Sequence, residues 1–186
     1  MYVSPSRMQQ EIAEKAIALC KGQVLDVGAG SGFASLKRQS AGYAVTALDV
    51  SKYCIEAMKI SGVKFCQVGE INANNKATFD TFLFLDSTVA CQETPENIEQ
   101  FLVNLHHIST PSARIIVHDG VVDPGVNSYE WQAYFPCKQF VGKPFRWRSL
   151  SLTRLEEIAI RAGCRFSSPY GQRFEWRYLG VLERIM

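Results

Sequence analysis

One stretch constrains this chain more than any other: Val24-Leu25-Asp26-Val27-Gly28-Ala29-Gly30-Ser31-Gly32. A short aliphatic run ends in an acid and a valine, and three glycines follow within five residues. Glycines in that position turn the backbone sharply and let it approach another group closely. The helical spacing that resumes at Phe33 then begins with free N–H groups near the bend. A buried strand, a glycine bend and a helix in this order belong to sheets whose strands alternate with helices.

The rest of the chain repeats that alternation. Ser4-Pro5 opens a helix whose apolar face is Met8, Ile12, Ala16, Leu19 and Cys20, and Gly22 stops it. Strands are expected over 23–27, 44–48, 63–68, 79–85 and 114–117. Helices are expected over 33–39, from Ser51 to Ile60, and from the Thr94-Pro95-Glu96 cap to about His107. Thr153-x-x-Glu156 is a capping-box pattern for a last helix ending at Gly163. Runs 164–167 and 176–185, joined around Pro169-Tyr170-Gly171, read as an antiparallel hairpin. The expected fold is α/β: a doubly wound, mostly parallel seven-stranded sheet with helices on both faces and that hairpin at its end. One domain spans 1–186, with an N-terminal helix over 1–22 and an insertion over 121–149.

Composition supports a folded domain and narrows its setting. Of 186 residues, 47% are apolar, which excludes wholesale disorder, and no apolar run reaches the roughly 18–20 residues of a membrane span. The first ten residues hold no apolar block, so they do not read as a secretory signal. The six cysteines, at 20, 54, 66, 91, 137 and 164, form no C-x-x-C pair, and no His/Cys/Asp cluster suggests a metal. Free thiols in a cytoplasmic protein are expected. Residues 1–137 carry 10 Lys/Arg against 14 Asp/Glu, whereas 138–186 carry 10 against 4. That basic quarter is either a solvated face or a surface for an acidic partner such as RNA.

Asp49 closes the second strand, 17 residues after Gly32. A carboxylate there accepts both hydroxyls of a ribose, so glycine bend, helix and strand-end acid together point to a nucleotide-binding sheet. The pattern is G-x-G-x-G; the dinucleotide form G-x-G-x-x-G fails because residue 33 is Phe, and no G-K-[ST] follows.

On these residues the chain resembles class I S-adenosylmethionine-dependent methyltransferases, over about residues 20–120 and again in its closing helix and hairpin. The resemblance implies S-adenosyl-L-methionine as cofactor and S-adenosyl-L-homocysteine as product. It implies that Gly28, Ala29, Gly30 and Gly32 wrap the methionine part, and that Asp26 orients that loop or faces the methionine ammonium. Asp49 would hold the ribose, Val50 would pack on the adenine, and Glu70 with Ile71 would sit near the adenine amino group. Asp86 and Ser87 fall where the family faces cofactor and acceptor. Glu70 stands where the family more often has Asp.

His118 and Asp119, at the carboxyl end of the fifth strand, are the catalytic candidates, His118 as general base. The alternative is a solvent-facing histidine stabilised by Asp119. His106 and His107 suit a helix end. Tyr129, Trp131, Arg146 and Trp147, within the aromatic and basic insertion, are candidates to contact the acceptor; the alternative is that this segment simply packs on the sheet. After the fourth strand the chain reads Leu85-Asp86-Ser87-Thr88, unlike the N/D-P-P-Y/F of enzymes that methylate base amines. A small-molecule acceptor methylated on O or N therefore leads. RNA methylation and a non-catalytic cofactor-binding subunit rank below it; no membrane partner is expected.

Overall fold

A computed structural model describes residues 6–71, 78–86, 88–92, 94–120, 126, 128–133, 136–137, 140–141, 145–171 and 177–185. Its centre is a seven-stranded sheet. In chain order the strands are β1 (Val24–Val27), β2 (Val45–Asp49), β3 (Cys66–Val68), β4 (Phe79–Phe84), β5 (Ser109–Gly120), then, beyond the insertion, β10 (Cys164–Ser167) and β11 (Arg177–Arg184). The insertion supplies β6 (Ser128–Ala133), β7 (Pro136–Cys137), β8 (Phe140–Val141) and β9 (Phe145–Leu150). Across the sheet the order is β10-β11-β5-β4-β1-β2-β3. β1 to β5 pair in parallel, and β11 enters antiparallel between β5 and β10.

The helices are α1 (Arg7–Leu19), α2 (Phe33–Ser40), α3 (Lys52–Ile60), α4 (Pro95–Leu105) and α5 (Leu152–Arg161). On one face, Ile12, Ala13 and Ala16 of α1 and Ala34 of α2 bury against Val24, Val45, Leu83 and Ile116. Ile55 and Met58 of α3 cover Ala47. On the other face, Ile98, Leu102 and Leu105 of α4 with Leu155 and Ile158 of α5 bury against Phe82, Phe84, Ile115 and Val117. Because strand residues alternate between faces, even-numbered residues of β5 face α1 and odd-numbered ones face α4 and α5.

Several local expectations shift. Ser6 caps α1 in a reciprocal capping box with Gln9; Ser4 and Pro5 lie outside the described residues. Ser51 and Thr94 cap α3 and α4 as expected. α5 starts two residues earlier than the Thr153 pattern implied, because Ser151 accepts the Arg154 N–H and places Thr153 inside the helix. β5 begins at Ser109 and carries Pro111. The pairing with β4 jumps from Phe79↔Ser109 to Thr81↔Arg114, so the proline sits in the irregularity, where its missing N–H costs no ladder bond. The aromatic insertion, whose sequence shows no clear period, pairs β6 with β9 antiparallel, bringing Trp131 opposite Trp147 and Gln132 opposite Arg146. β7 pairs with β8.

Candidate active site

The glycine bend sits where β1 and β4 lie side by side and their connections leave in different directions, the switch point at which open α/β sheets bind ligands. Gly28 and Ala29 both donate to the Leu48 carbonyl, at 2.8 and 3.1 Å, which ties the bend to β2. Gly30 adopts φ +56°, and a Cβ there would meet nothing within 4 Å. Gly32 differs: at φ +77° a Cβ would fall 2.6 Å from Met58 Cγ and 2.9 Å from Val63 Cγ2. Gly32 thus lets α2 pack on α3, while Gly30 opens onto free space. At Gly28 a Cβ would fall 2.7 Å from Thr88 Cγ2, so the turn after β4 is in close contact with the bend. Gly32 caps α2 without any side chain, leaving the helix's first N–H groups unclaimed by a side-chain cap.

Asp26 is buried, and its Oδ2 accepts the Ser35 hydroxyl at 2.6 Å. That bond ties β1 to α2 beneath the bend. Burial pushes the Asp26 carboxyl up to about 6, against the lowering effect of Ser35. Asp49 lies at the end of β2, 9% exposed. Its Oδ2 accepts the Gly30 N–H at 2.9 Å and its Oδ1 the Ser51 N–H at 2.8 Å. An ionised carboxylate has about four acceptor sites, so this one is held in place by two amides with two sites left. Val50, next in the chain, is 67% exposed. Glu70 is exposed, and Ile71 is half-buried against the core. An open glycine, a fixed carboxylate with spare acceptor capacity and an adjacent apolar side chain fit an adenosyl cofactor.

Asp86 follows β4 with φ 53°, the positive-φ non-glycine residue of the described chain. An aspartate tolerates this region better than most residues, yet the conformation still costs on the order of 1 kcal/mol and persists only when its surroundings enforce it. Two partners do. The Asp86 N–H donates to His118 Nδ1 at 3.0 Å, and Asp86 Oδ1 accepts Arg177 Nη1 at 2.9 Å. The His118 ring beside it, the Arg177 guanidinium and the Gln9 amide of α1 together hold the Asp86 carboxyl below the ordinary carboxylate range. Ser87 lies outside the described residues.

His118 is 1% exposed, so the solvent-facing alternative is wrong. Asp119 is not its partner either: neighbours on a strand point to opposite faces, and the carboxylate next to His118 is Asp86, 3.3 Å from Nδ1. The fully buried Asp119 accepts the Gly120 N–H at 2.6 Å and the Leu150 N–H at 3.1 Å, and Tyr178 donates its hydroxyl to the Leu150 carbonyl at 3.1 Å. Both backbone groups at the end of β9 are therefore pinned to the sheet, which gives the buried acid a structural role. Tyr129, Trp131, Arg146 and Trp147 lie on the β6–β9 pair; their backbones are described and their side chains are not.

Arg177, Gln9, Ser35 and Thr88 carry no motif that marks them in the sequence; Arg177, Gln9 and Thr88 reach the site through long-range packing, and Ser35 from the first turn of α2. Among the described residues no group of three His, Cys, Asp or Glu could hold a metal, and no helix is long and apolar enough to cross a membrane. Cys20, Cys54, Cys66 and Cys164 are free thiols.

A family model described as tellurite resistance protein TehB matches residues 3–121. Among solved structures, an S-adenosylmethionine-dependent methyltransferase from Bacteroides fragilis, in complex with S-adenosyl-L-homocysteine, is 26% identical with a TM-score of 0.77, over 94% of this chain and 77% of that one. CalS10, an amino pentose methyltransferase from Micromonospora echinaspora, shares the fold at 15% identity and a TM-score of 0.66, over 100% and 98% of the two chains. The CcbJ methyltransferase from Streptomyces caelestis shares it at 11% and 0.72, over 99% of each. No curated protein matches the chain.

Proposed function

This chain belongs to the TehB family of class I S-adenosylmethionine-dependent methyltransferases, and on that premise we propose that it methylates an oxygen or nitrogen of a small-molecule acceptor. The bound cofactor supplies a methyl group already activated on a sulfonium, so the protein's task is alignment. Alignment of reacting groups is worth on the order of 7–11 kcal/mol in well-oriented systems. Asp49 offers its two remaining acceptor sites to the ribose hydroxyls, Gly30 leaves room above the bend, and Val50 offers apolar surface to the adenine. Asp26 holds α2 beneath the loop through Ser35.

The observation that carries the acceptor reading is the anchoring of the insertion. β9 ends at Leu150, fixed by Asp119 and Tyr178, and packs against the 3-10 turn Thr88–Gln92 that adjoins Gly28. The β6–β9 pair is thereby tethered at the same end of the sheet as the glycine bend. Its aromatic residues Tyr129, Trp131 and Trp147, with Arg146, offer flat apolar and cationic contacts suited to a small organic acceptor. A nucleic-acid acceptor finds less support. Arg154, Arg161, Arg165 and Arg177 of the basic quarter pair with Glu157, Glu99, Glu183 and Asp86.

The test is incubation with cofactor carrying a deuterated methyl, a mixed pool of small amines, phenols and carboxylic acids, and separately total RNA. Mass spectrometry should find the label on O or N of a small acceptor. Label confined to RNA would refute the reading.

A further inference from the structure

We infer that His118 is a positioning residue: its Nδ1 accepts the Asp86 N–H, holds Asp86 in its left-handed turn against the cofactor bend, and is not available as the general base. The inference rests on the methyltransferase reading for its purpose, but its geometry stands alone. A backbone N–H always carries its hydrogen and can only donate. At 3.0 Å from the Asp86 N, His118 Nδ1 must therefore present a lone pair. The 3.3 Å separation from Asp86 Oδ1 is then a neighbour contact, because one ring nitrogen cannot accept from the amide and donate to the carboxylate together. A neutral imidazole with Nδ1 so engaged bears its hydrogen on Nε2. That nitrogen is buried without a hydrogen-bond partner among the described residues. Neither nitrogen can take a proton from an acceptor: one lone pair is committed and the other position already bears hydrogen.

The consequence reaches the cofactor site through two residues. Asp86 leaves β4 beside β1, and Thr88, two residues on, packs where a Gly28 side chain would be. His118 fixes the amide at the start of this turn, and Arg177 fixes the carboxylate. Without the imidazole acceptor the Asp86 N–H is left unsatisfied, and the turn is free to leave φ 53°, moving Thr88 against the bend.

The tautomer is read directly. In 15N-labelled full-length protein at about pH 8, above the ordinary imidazole range, long-range 1H–15N spectra, assigned with His118→Asn, should show His118 with hydrogen on Nε2 and none on Nδ1. Hydrogen on Nδ1 overturns the inference. Function is read by S-adenosyl-L-homocysteine affinity. Asn places its Oδ1 where the imidazole places Nδ1, so His118→Asn should bind within about threefold of wild type, whereas His118→Leu should bind roughly tenfold or more weakly. A weakened His118→Asn, or a His118→Leu as tight as wild type, overturns the positioning role; should the leucine variant not fold, the asparagine variant and the spectrum decide. Absence of binding by wild type would instead sink the cofactor reading, leaving the spectrum to judge the His118–Asp86 geometry.

Discussion

Gly32→Ala and Gly30→Ala separate the structural glycine from the open one. Both residues hold positive φ, +77° and +56°, so alanine at either incurs about 1 kcal/mol of backbone strain. Only Gly32 adds a clash, 2.6 Å from Met58 Cγ and 2.9 Å from Val63 Cγ2. Met58 is fully buried and Val63 nearly so, and neither lies at the free end of a solvated side chain. Overpacking at such a site costs about 1–3 kcal/mol, which brings Gly32→Ala to about 3 kcal/mol in all. For a chain this size each kcal/mol moves Tm by roughly 2–4 °C. Differential scanning calorimetry should therefore show a fall of roughly 6–12 °C for Gly32→Ala and roughly 2–4 °C for Gly30→Ala. Titration with S-adenosyl-L-homocysteine should reveal a loss for Gly30→Ala, whose new methyl enters the space above the bend, out of proportion to its mild effect on Tm. Equal losses of stability, or a larger one at position 30, would refute the packing argument.

Three further outcomes follow from the site. Asp49→Ala removes a charged acceptor worth about 1.5–3 kcal/mol per hydrogen bond, so product affinity measured by calorimetry should drop on the order of a hundredfold; a change under about threefold contradicts the ribose role. Asp26 titrates higher folded, at about 6, than unfolded, near 3.8, so the native state binds the extra proton. Its contribution is thus most favourable below the unfolded value and is lost as pH rises through about 6, a swing of up to about 3 kcal/mol. Urea midpoints of wild type and Asp26→Asn should diverge between these pH values, with the variant relatively more stable at neutral pH; a constant gap is the contrary result. Asp119→Ala strands the Gly120 and Leu150 amides and should lower stability by about 2–4 kcal/mol in denaturant melts, while the folded fraction still binds the product; retention of full stability would show that β9 is anchored otherwise.

The layered sheet was readable because each strand is a short apolar run and each helix carries its own start and stop signals. Thr94-Pro95 and Ser51 open helices where the spacing placed them, since a cap acts on amides only two or three residues away. Thr153 misled because Ser151 competes for the same role two positions earlier. The β6–β9 pair escaped the reading: its aromatics show no clean alternation, and its anchor depends on Asp119 and Tyr178, distant in the chain from Leu150. Within the site, the bend and Asp49 were legible from 26 to 49, where the nucleotide-binding signal is local. The grip on Asp86 was not. Its partners lie 32 and 91 residues away, and adjacency in sequence suggested pairing His118 with Asp119, which the strand pleat forbids.

A crystal of the full chain soaked with S-adenosyl-L-homocysteine bears most directly on the account. The nucleoside should lie across the Gly28–Gly32 bend, both ribose hydroxyls on the Asp49 carboxylate and the sulfur toward the Asp86 turn. Density at another place on the molecule, or an Asp49 still facing only Gly30 and Ser51, would contradict it.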